Sequence, residues 1–160
     1  MAGRVLVRPA LLHTGPARTL VHLLKYRGIL AAAEELAHHM APMVSGGSVL
    51  VPVPRLRWRV VKYGVDPALE LAAALSRVTG ARAARLLRAS VFGRSRADGA
   101  HGFSPRYRLA GPVSYPSLVL VDDVVTTGTT VAAAARILDV PLEAVAATSG
   151  GGRVRRGHPK

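Results

Sequence analysis

The sequence predicts an α/β domain built on a parallel sheet flanked by helices, and three observations carry that reading. The short runs "SVLVPVP" (48–54), "SLVLVDD" (117–123) and "EAVAATSG" (143–150) are apolar at most positions rather than at every second one. A strand covered on both faces has no wet face to show, so this pattern belongs to a parallel sheet between two layers. Ala- and Leu-rich segments of helical character lie between the runs, and strands alternating with helices define the α/β class. The length of 160 residues suits one domain, and a chain of that size buries roughly 70% of its unfolded surface without disulfide or metal staples.

Taken in order, residues 17–44 read as helical and divide near "KYRG", Lys25 to Gly28, where the glycine offers a C-cap and a turn. "SVLVPVP" follows "SGG" as a buried strand ended by its prolines. After a basic loop, Asp66 and Pro67 form an N-cap and first-turn pair for the helix "PALELAAALSRVTG", which stops at Gly80. From Ser90 to Pro116 periodicity is lost and Gly, Ser, Pro and Arg collect, which predicts a long mobile loop of functional or disordered character. "SLVLVDD" is then a second strand, "TGTTVAAAARIL" the helix it feeds and "EAVAATSG" a third strand. No repeat or linker divides the chain, so residues 1–152 read as a single domain and 153–160 as a basic, solvated tail.

Composition bounds the function. The absence of cysteine removes a disulfide framework, a Cys-based zinc site and a thiol nucleophile. The longest apolar-looking stretch, "ILAAAEELAHHMAPMV", is broken by Glu34 and Glu35, so no membrane span and no secretory leader are expected. A soluble, cytoplasmic protein follows as the expectation. Twenty-two Lys and Arg against nine Asp and Glu leave a formal charge of +13, a field that draws polyanions and phosphate-rich small molecules alike. The same Arg- and Ala-rich composition also arises from genomic base composition, and charge alone does not separate these readings.

Against that scarcity of acids, "LVLVDDVVTTGTT" (118–130) sets two aspartates side by side where a buried strand ends. Ligands of open parallel sheets bind beyond the carboxyl ends of the strands. The loop "TTGTT" opens the next helix, so its amides, the helix dipole and the threonine hydroxyls can hold a phosphate while Gly128 permits close approach. Adjacent carboxylates beside an anion cradle suit a ribose 5-phosphate, whose vicinal hydroxyls donate to the acids. A Walker B strand also ends in acids, but no GxxxxGK[ST] occurs in the chain, and a dinucleotide fold lacks its GxGxxG.

"VLVDDVVTTGTT" resembles the phosphoribosyl pyrophosphate (PRPP) motif of type I phosphoribosyltransferases. Together with "LKYRG" and "VPVP" before a basic segment, it is similar to the ComF/GntX-like branch, some of whose members are tied to DNA uptake in competent bacteria. The likeness spans Leu24 to about Thr148 and is dense at those three places. It implies a type I phosphoribosyltransferase-like fold with a flexible hood, and transfer of a phosphoribosyl group from PRPP, present or ancestral. It further implies Asp122 and Asp123 as catalytic, ribose-gripping acids and Thr126, Thr127, Gly128, Thr129 and Thr130 as the 5-phosphate loop. Val53, Pro54 and Arg55 would face pyrophosphate through backbone amides, with charge from Arg55, Arg57 or Arg59. Mg²⁺ would be bound through PRPP rather than in a protein cage, so no metal ligands are assigned. The alternative is a competence or DNA-uptake factor that binds single-stranded DNA without turnover. A homodimer is left open.

The chain departs from that branch in places. The family's four-cysteine zinc ribbon has no counterpart, which fits either a short form or a mis-assigned start. "KYGVDP" stands where the family often shows Arg-Gly-Phe-Asn-Gln, and "RSRADGAHGFSPRYRLAG" replaces a Gln- and Asn-bearing region, so the acceptor is not legible. His38 and His39 are adjacent on a helix and do not share a face, which favours a surface role over a metal site. Trp58 and Tyr63 suit base stacking or loop packing equally, and Arg94, Arg96, Arg106 and Arg108 suit closure over pyrophosphate or plain solvation.

Overall fold

The computed structural model describes residues 5–89, 107–140 and 142–150. The chain runs β1 (Leu6–Leu12), α1 (Gly15–Arg27), α2 (Leu30–Met40), a 3₁₀ turn (Ala41–Met43), β2 (Val49–Pro52), α3 (Arg57–Tyr63) and α4 (Pro67–Thr79). It continues through β3 (Leu87–Ala89), β4 (Tyr107–Leu109), β5 (Leu118–Val125), α5 (Thr129–Leu138) and β6 (Leu142–Ser149). Strands β1, β6, β5 and β2 lie in that order in one sheet, every pair parallel. The α/β class with a parallel sheet flanked by helices is therefore what the chain adopts.

Each face of the sheet has its own core. On one face α1, α2 and α4 pack Leu24, Leu36, Met40, Leu71 and Leu75 against Leu50, Val119, Val121 and Val145. On the other, α5 and the β3–β4 ribbon bring Val131, Ala134, Leu87 and Tyr107 onto Val51, Leu118, Leu120 and Ala146. Successive side chains of a strand point to opposite faces, so Val119 and Val121 serve the first core and Leu118 and Leu120 the second. This is why the strand had to be apolar throughout.

Helix ends follow the expected signals. Gly28 closes α1 in the left-handed region at φ 64°, its amide meeting the last carbonyls of the helix, and Ile29 N–H donates to Leu23 O at 3.1 Å. The chain then turns straight into α2, giving the two expected helices. Asp66 and Pro67 do start α4. The Asp66 carboxylate makes no capping bond, however, and accepts the Arg55 amide instead.

Several elements depart from the expectations. β1 has no counterpart in the sequence reading because "LVRPALL" carries Arg8 and Pro9. It is an edge strand, where an absent N–H and a charge are tolerated, and Arg8 pairs with Glu143 of β6 at 2.9 Å. The basic loop after β2 contains α3, closed by Gly64 at φ 69°. The span expected to be irregular from Ser90 to Pro116 contains β4, antiparallel to β3; its first part, 90–106, and the tail 153–160 lie outside the described residues. β5 runs on to Val125, so the aspartates lie inside the strand's last turn of pairing, with Asp122 opposite Ala146. α5 starts at Thr129, two residues later than the sequence suggested. Among the described residues no helix is long and apolar enough to cross a membrane.

Candidate functional site

In a wholly parallel sheet every strand ends on the same side, so the residues after β1, β2, β5 and β6 meet at one edge. A cavity of about 230 Å³ opens there, and among its walls are Asp122 and Asp123 from β5, Val53, Pro54 and Arg55 from the turn after β2, and Thr130 from the start of α5. Lys25 of α1, Arg59 of α3, Asp66 at the head of α4 and Tyr107 of β4 also stand in its wall. Three separate stretches named from the sequence thus converge, and residues of α1, α3, α4 and β4 join them.

The acid pair is buried, Asp122 at 6% and Asp123 at 9% exposure. The backbone N–H of Asp123 donates to Asp122 Oδ1 at 2.8 Å, which fixes the Asp122 carboxylate against the next residue of the strand. Burial, reinforced by the neighbouring Asp123 charge, pushes the Asp122 carboxyl well above the usual carboxylate range. Lys25 Nζ stands 3.0 Å from Asp123 Oδ2, an ion pair by distance. That oxygen nevertheless lacks an aligned donor among the described residues. The ammonium compensates the charge without saturating the lone pairs, which leaves acceptor capacity for a ligand's hydroxyls.

The turn after β2 differs from its expected role. Val53 N–H donates to Val121 O at 2.9 Å as part of the sheet, Pro54 has no N–H, and Arg55 N–H donates to Asp66 Oδ2 at 3.1 Å. The backbone amides of these residues, expected to face pyrophosphate, all have other partners or do not exist. The reason is local: the turn leaves an edge strand and is tied back by the buried carboxylate of Asp66. Its charge remains available through side chains. Arg55 Nη1 donates to Lys25 O at 2.9 Å and Val65 O at 3.2 Å, while Nε and Nη2 are buried without a partner among the described residues. The guanidinium lies 4.7 Å from the Tyr63 ring centroid, and Tyr63 meets Tyr26 edge-on at 5.2 Å. Tyr63 is therefore a packing residue, whereas Trp58 stays 52% exposed with Arg59 over its ring at 5.1 Å.

The threonine loop is only partly drawn in. Thr130 lines the cavity, while Thr126, Thr127 and Thr129 are exposed and Gly128 sits beside it at φ 77° as the N-cap of α5. Thr127 and Thr129 hydroxyls bond each other at 2.8 Å. The loop rests on the end of β6: Gly150 N–H donates to Val125 O at 2.9 Å, and a Cβ on Gly150 would stand 2.9 Å from Thr126 Cγ2. Behind the acids, His13 Nδ1 and Thr148 Oγ1 lie 2.8 Å apart, and that hydroxyl donates to Asp123 O at 3.4 Å.

Lys25 carried only a resemblance in the sequence, through "LKYRG". Asp66 was legible as a cap, and Tyr107 gave no signal at all. Among the described residues no group of three or more His, Asp or Glu gathers that could hold a metal. His38 and His39 are exposed, His39 3.4 Å from Glu35 one turn earlier.

Fold and site together define an α/β protein with a buried carboxylate pair and a threonine-rich helix start at the carboxyl edge of a parallel sheet. No protein-family model matches the chain, and no curated protein matches it.

Proposed function

We propose that this edge binds PRPP and that the protein is a phosphoribosyltransferase, or a descendant of one, of the ComF/GntX-like kind. The observation that supports the reading most is the buried Asp122–Asp123 pair, with open acceptor capacity, sharing one cavity with Thr130 and the Arg55 guanidinium. Asp122 and Asp123 accept the ribose 2- and 3-hydroxyls. The loop 126–130 takes the 5-phosphate through its amides, hydroxyls and the α5 dipole. Arg55 and Arg59, both in the wall of this cavity, bring positive charge to the pyrophosphate. As pyrophosphate leaves, positive charge builds on the sugar ring, and a nearby carboxylate in a water-poor site stabilises it. Lys25 holds the acids' charge while the site is empty and, displaced by ribose, is free to turn toward pyrophosphate oxygens. Mg²⁺ would ride on the ligand's own pyrophosphate and sugar oxygens, which are hard donors, and would supply charge neutralisation there.

The test is thermal. Ligand at 100 times its Kd stabilises by about 2.7 kcal/mol, and each kcal/mol moves the midpoint of a domain this size by roughly 2–4 °C. PRPP with Mg²⁺ should therefore raise the melting temperature by about 5–10 °C, and no shift at millimolar PRPP would remove the reading. The competing reading, a nucleic-acid-binding factor on the same fold, draws support from the +13 charge. It requires oligo(dT) affinity that falls steeply with salt, with a log–log slope of about −0.7 per phosphate neutralised; a flat slope excludes it.

Thr126 stands where purine-salvage relatives of the motif carry a carboxylate. A threonine hydroxyl does not act as a general base near neutral pH. Hypoxanthine and guanine are accordingly expected not to be turned over, and Thr126→Asp should weaken PRPP binding by setting a like charge beside the 5-phosphate. Steady-state assays with both purines and with orotate decide it: purine turnover at roughly 1 per second or faster contradicts the expectation.

A further inference from the structure

A second cavity, of about 480 Å³, lies on the other side of the turn after β2, bounded by α3, the start of α4 and the β3–β4 ribbon. Its volume falls within the roughly 300–1,000 Å³ of small-molecule sites. Arg57, Arg85, Arg88 and Arg108 line it together with Arg55, which it shares with the first cavity, and apolar wall comes from Val61 and Leu69. Among the described residues Asp66 is the one acidic side chain in its wall; its Oδ2 accepts the Arg55 amide and its Oδ1 is buried without a partner. Among the described residues none of these four arginines has an acidic side chain within ion-pair distance.

The ribbon makes the arrangement pointed. Arg88 and Arg108 are directly opposed across β3 and β4, the middle of three paired positions among the described residues. Directly opposed side chains stand about 4.5–5.5 Å apart at Cβ, and like charges there are destabilising. A doubly charged anion between the guanidiniums reverses the sign of the interaction, and guanidinium forks match phosphate oxygens two at a time. A single carboxylate would leave most of the positive charge uncompensated. Val61, 85% exposed at the cavity's rim, offers a surface that an apolar ring can cover.

We propose that this cavity is a second ligand site, adjoining the acid-pair cavity along Pro54, Arg55 and Asp66, for a nucleotide-sized molecule carrying a phosphate dianion and an apolar ring. The phosphate lies between Arg88 and Arg108, and the ring lies toward Val61 and Leu69. The site does not depend on PRPP being the ligand of the first one.

Calorimetric titration of the full chain with thymidine 5′-monophosphate, thymidine and a dodecamer of dT tests it. The monophosphate should bind wild-type protein, thymidine should not, and Arg88→Gln with Arg108→Gln should weaken the monophosphate by about tenfold or more, equivalent to about 1.4 kcal/mol. Asp122→Asn with Asp123→Asn should leave that affinity within about twofold, which separates this site from the first. The arginine variant should also melt no lower than wild type, since its removed pair was repulsive, so a loss of binding is not a loss of fold. The proposal is overturned if the monophosphate fails to bind, binds no better than thymidine, is unaffected by the arginine substitutions, or is lost with the aspartates. Binding of the dodecamer without the monophosphate also overturns it, in favour of a strand-binding surface.

Discussion

Asp122→Asn combined with Asp123→Asn is expected to abolish measurable PRPP binding while making the free protein more heat-stable at neutral pH. Each carboxylate–hydroxyl bond is charge-assisted and worth about 1.5–3 kcal/mol, so losing two weakens binding on the order of 10²–10⁴-fold. The stability effect follows from burial. Asp122 is held well above the usual carboxylate range, foremost by burial and then by Asp123. A group whose folded pKa is raised favours the folded state below its unfolded pKa, near 3.8, and that favour is lost as pH rises through the folded value. Above the unfolded value the wild type therefore carries a cost that grows with pH, which the amides do not, and the gain in melting temperature should disappear near pH 3. Asparagine Oδ1 still accepts the Asp123 position's N–H, so the backbone has no reason to move. Calorimetry with PRPP and melting curves from pH 3 to 8 check both halves. Unchanged PRPP affinity removes the ribose-gripping role, and a variant less stable than wild type at pH 7 contradicts the burial argument.

Arg55→Ala is expected to cost about 3 kcal/mol of stability. The guanidinium ties α1 to the head of α4 through Lys25 O and Val65 O, and bonds from a charged donor are worth about 1.5–3 kcal/mol each, with part regained where water reaches the freed carbonyls. The ring contact with Tyr63 at 4.7 Å adds to the loss. The midpoint should fall by roughly 6–12 °C. Arg55→Lys should recover little, because an ammonium does not bridge two carbonyls while lying flat on a ring. Melting curves decide the structural half: a drop under about 2 °C for alanine, or full recovery with lysine, refutes the tie. PRPP titration at low temperature, where the variant is folded, reads the pyrophosphate role separately.

The expectations that succeeded and failed do so for identifiable reasons. "SLVLVDD" was legible because a strand between two layers must be apolar on both faces, and β5 supplies both cores. "KYRG" was legible because a left-handed residue is needed to stop α1, and glycine adopts it without strain. β1 was not, because an edge strand tolerates Arg8 and Pro9 and its pairing with β6 bridges more than 130 residues of sequence, as between Arg8 and Glu143. α3, at seven residues, was hidden because its exposed arginines give no apolar stripe. The amides after β2 were misassigned because the sequence places Asp66 eleven residues from Arg55 and gives no sign that its carboxylate turns back to that amide.

By itself the sequence determined the class of fold and the place of the acid pair, since burial on two faces and the residues that stop helices are local demands written in local composition. The tertiary structure alone decided that Lys25, Arg55, Asp66 and Tyr107 surround that pair, that the turn after β2 offers side chains rather than amides, and that Arg88 faces Arg108. Those are contacts between segments far apart in the chain. Their energy depends on distance, burial and alignment, which exist only after the helices have packed on the sheet and all strands have ended on one side.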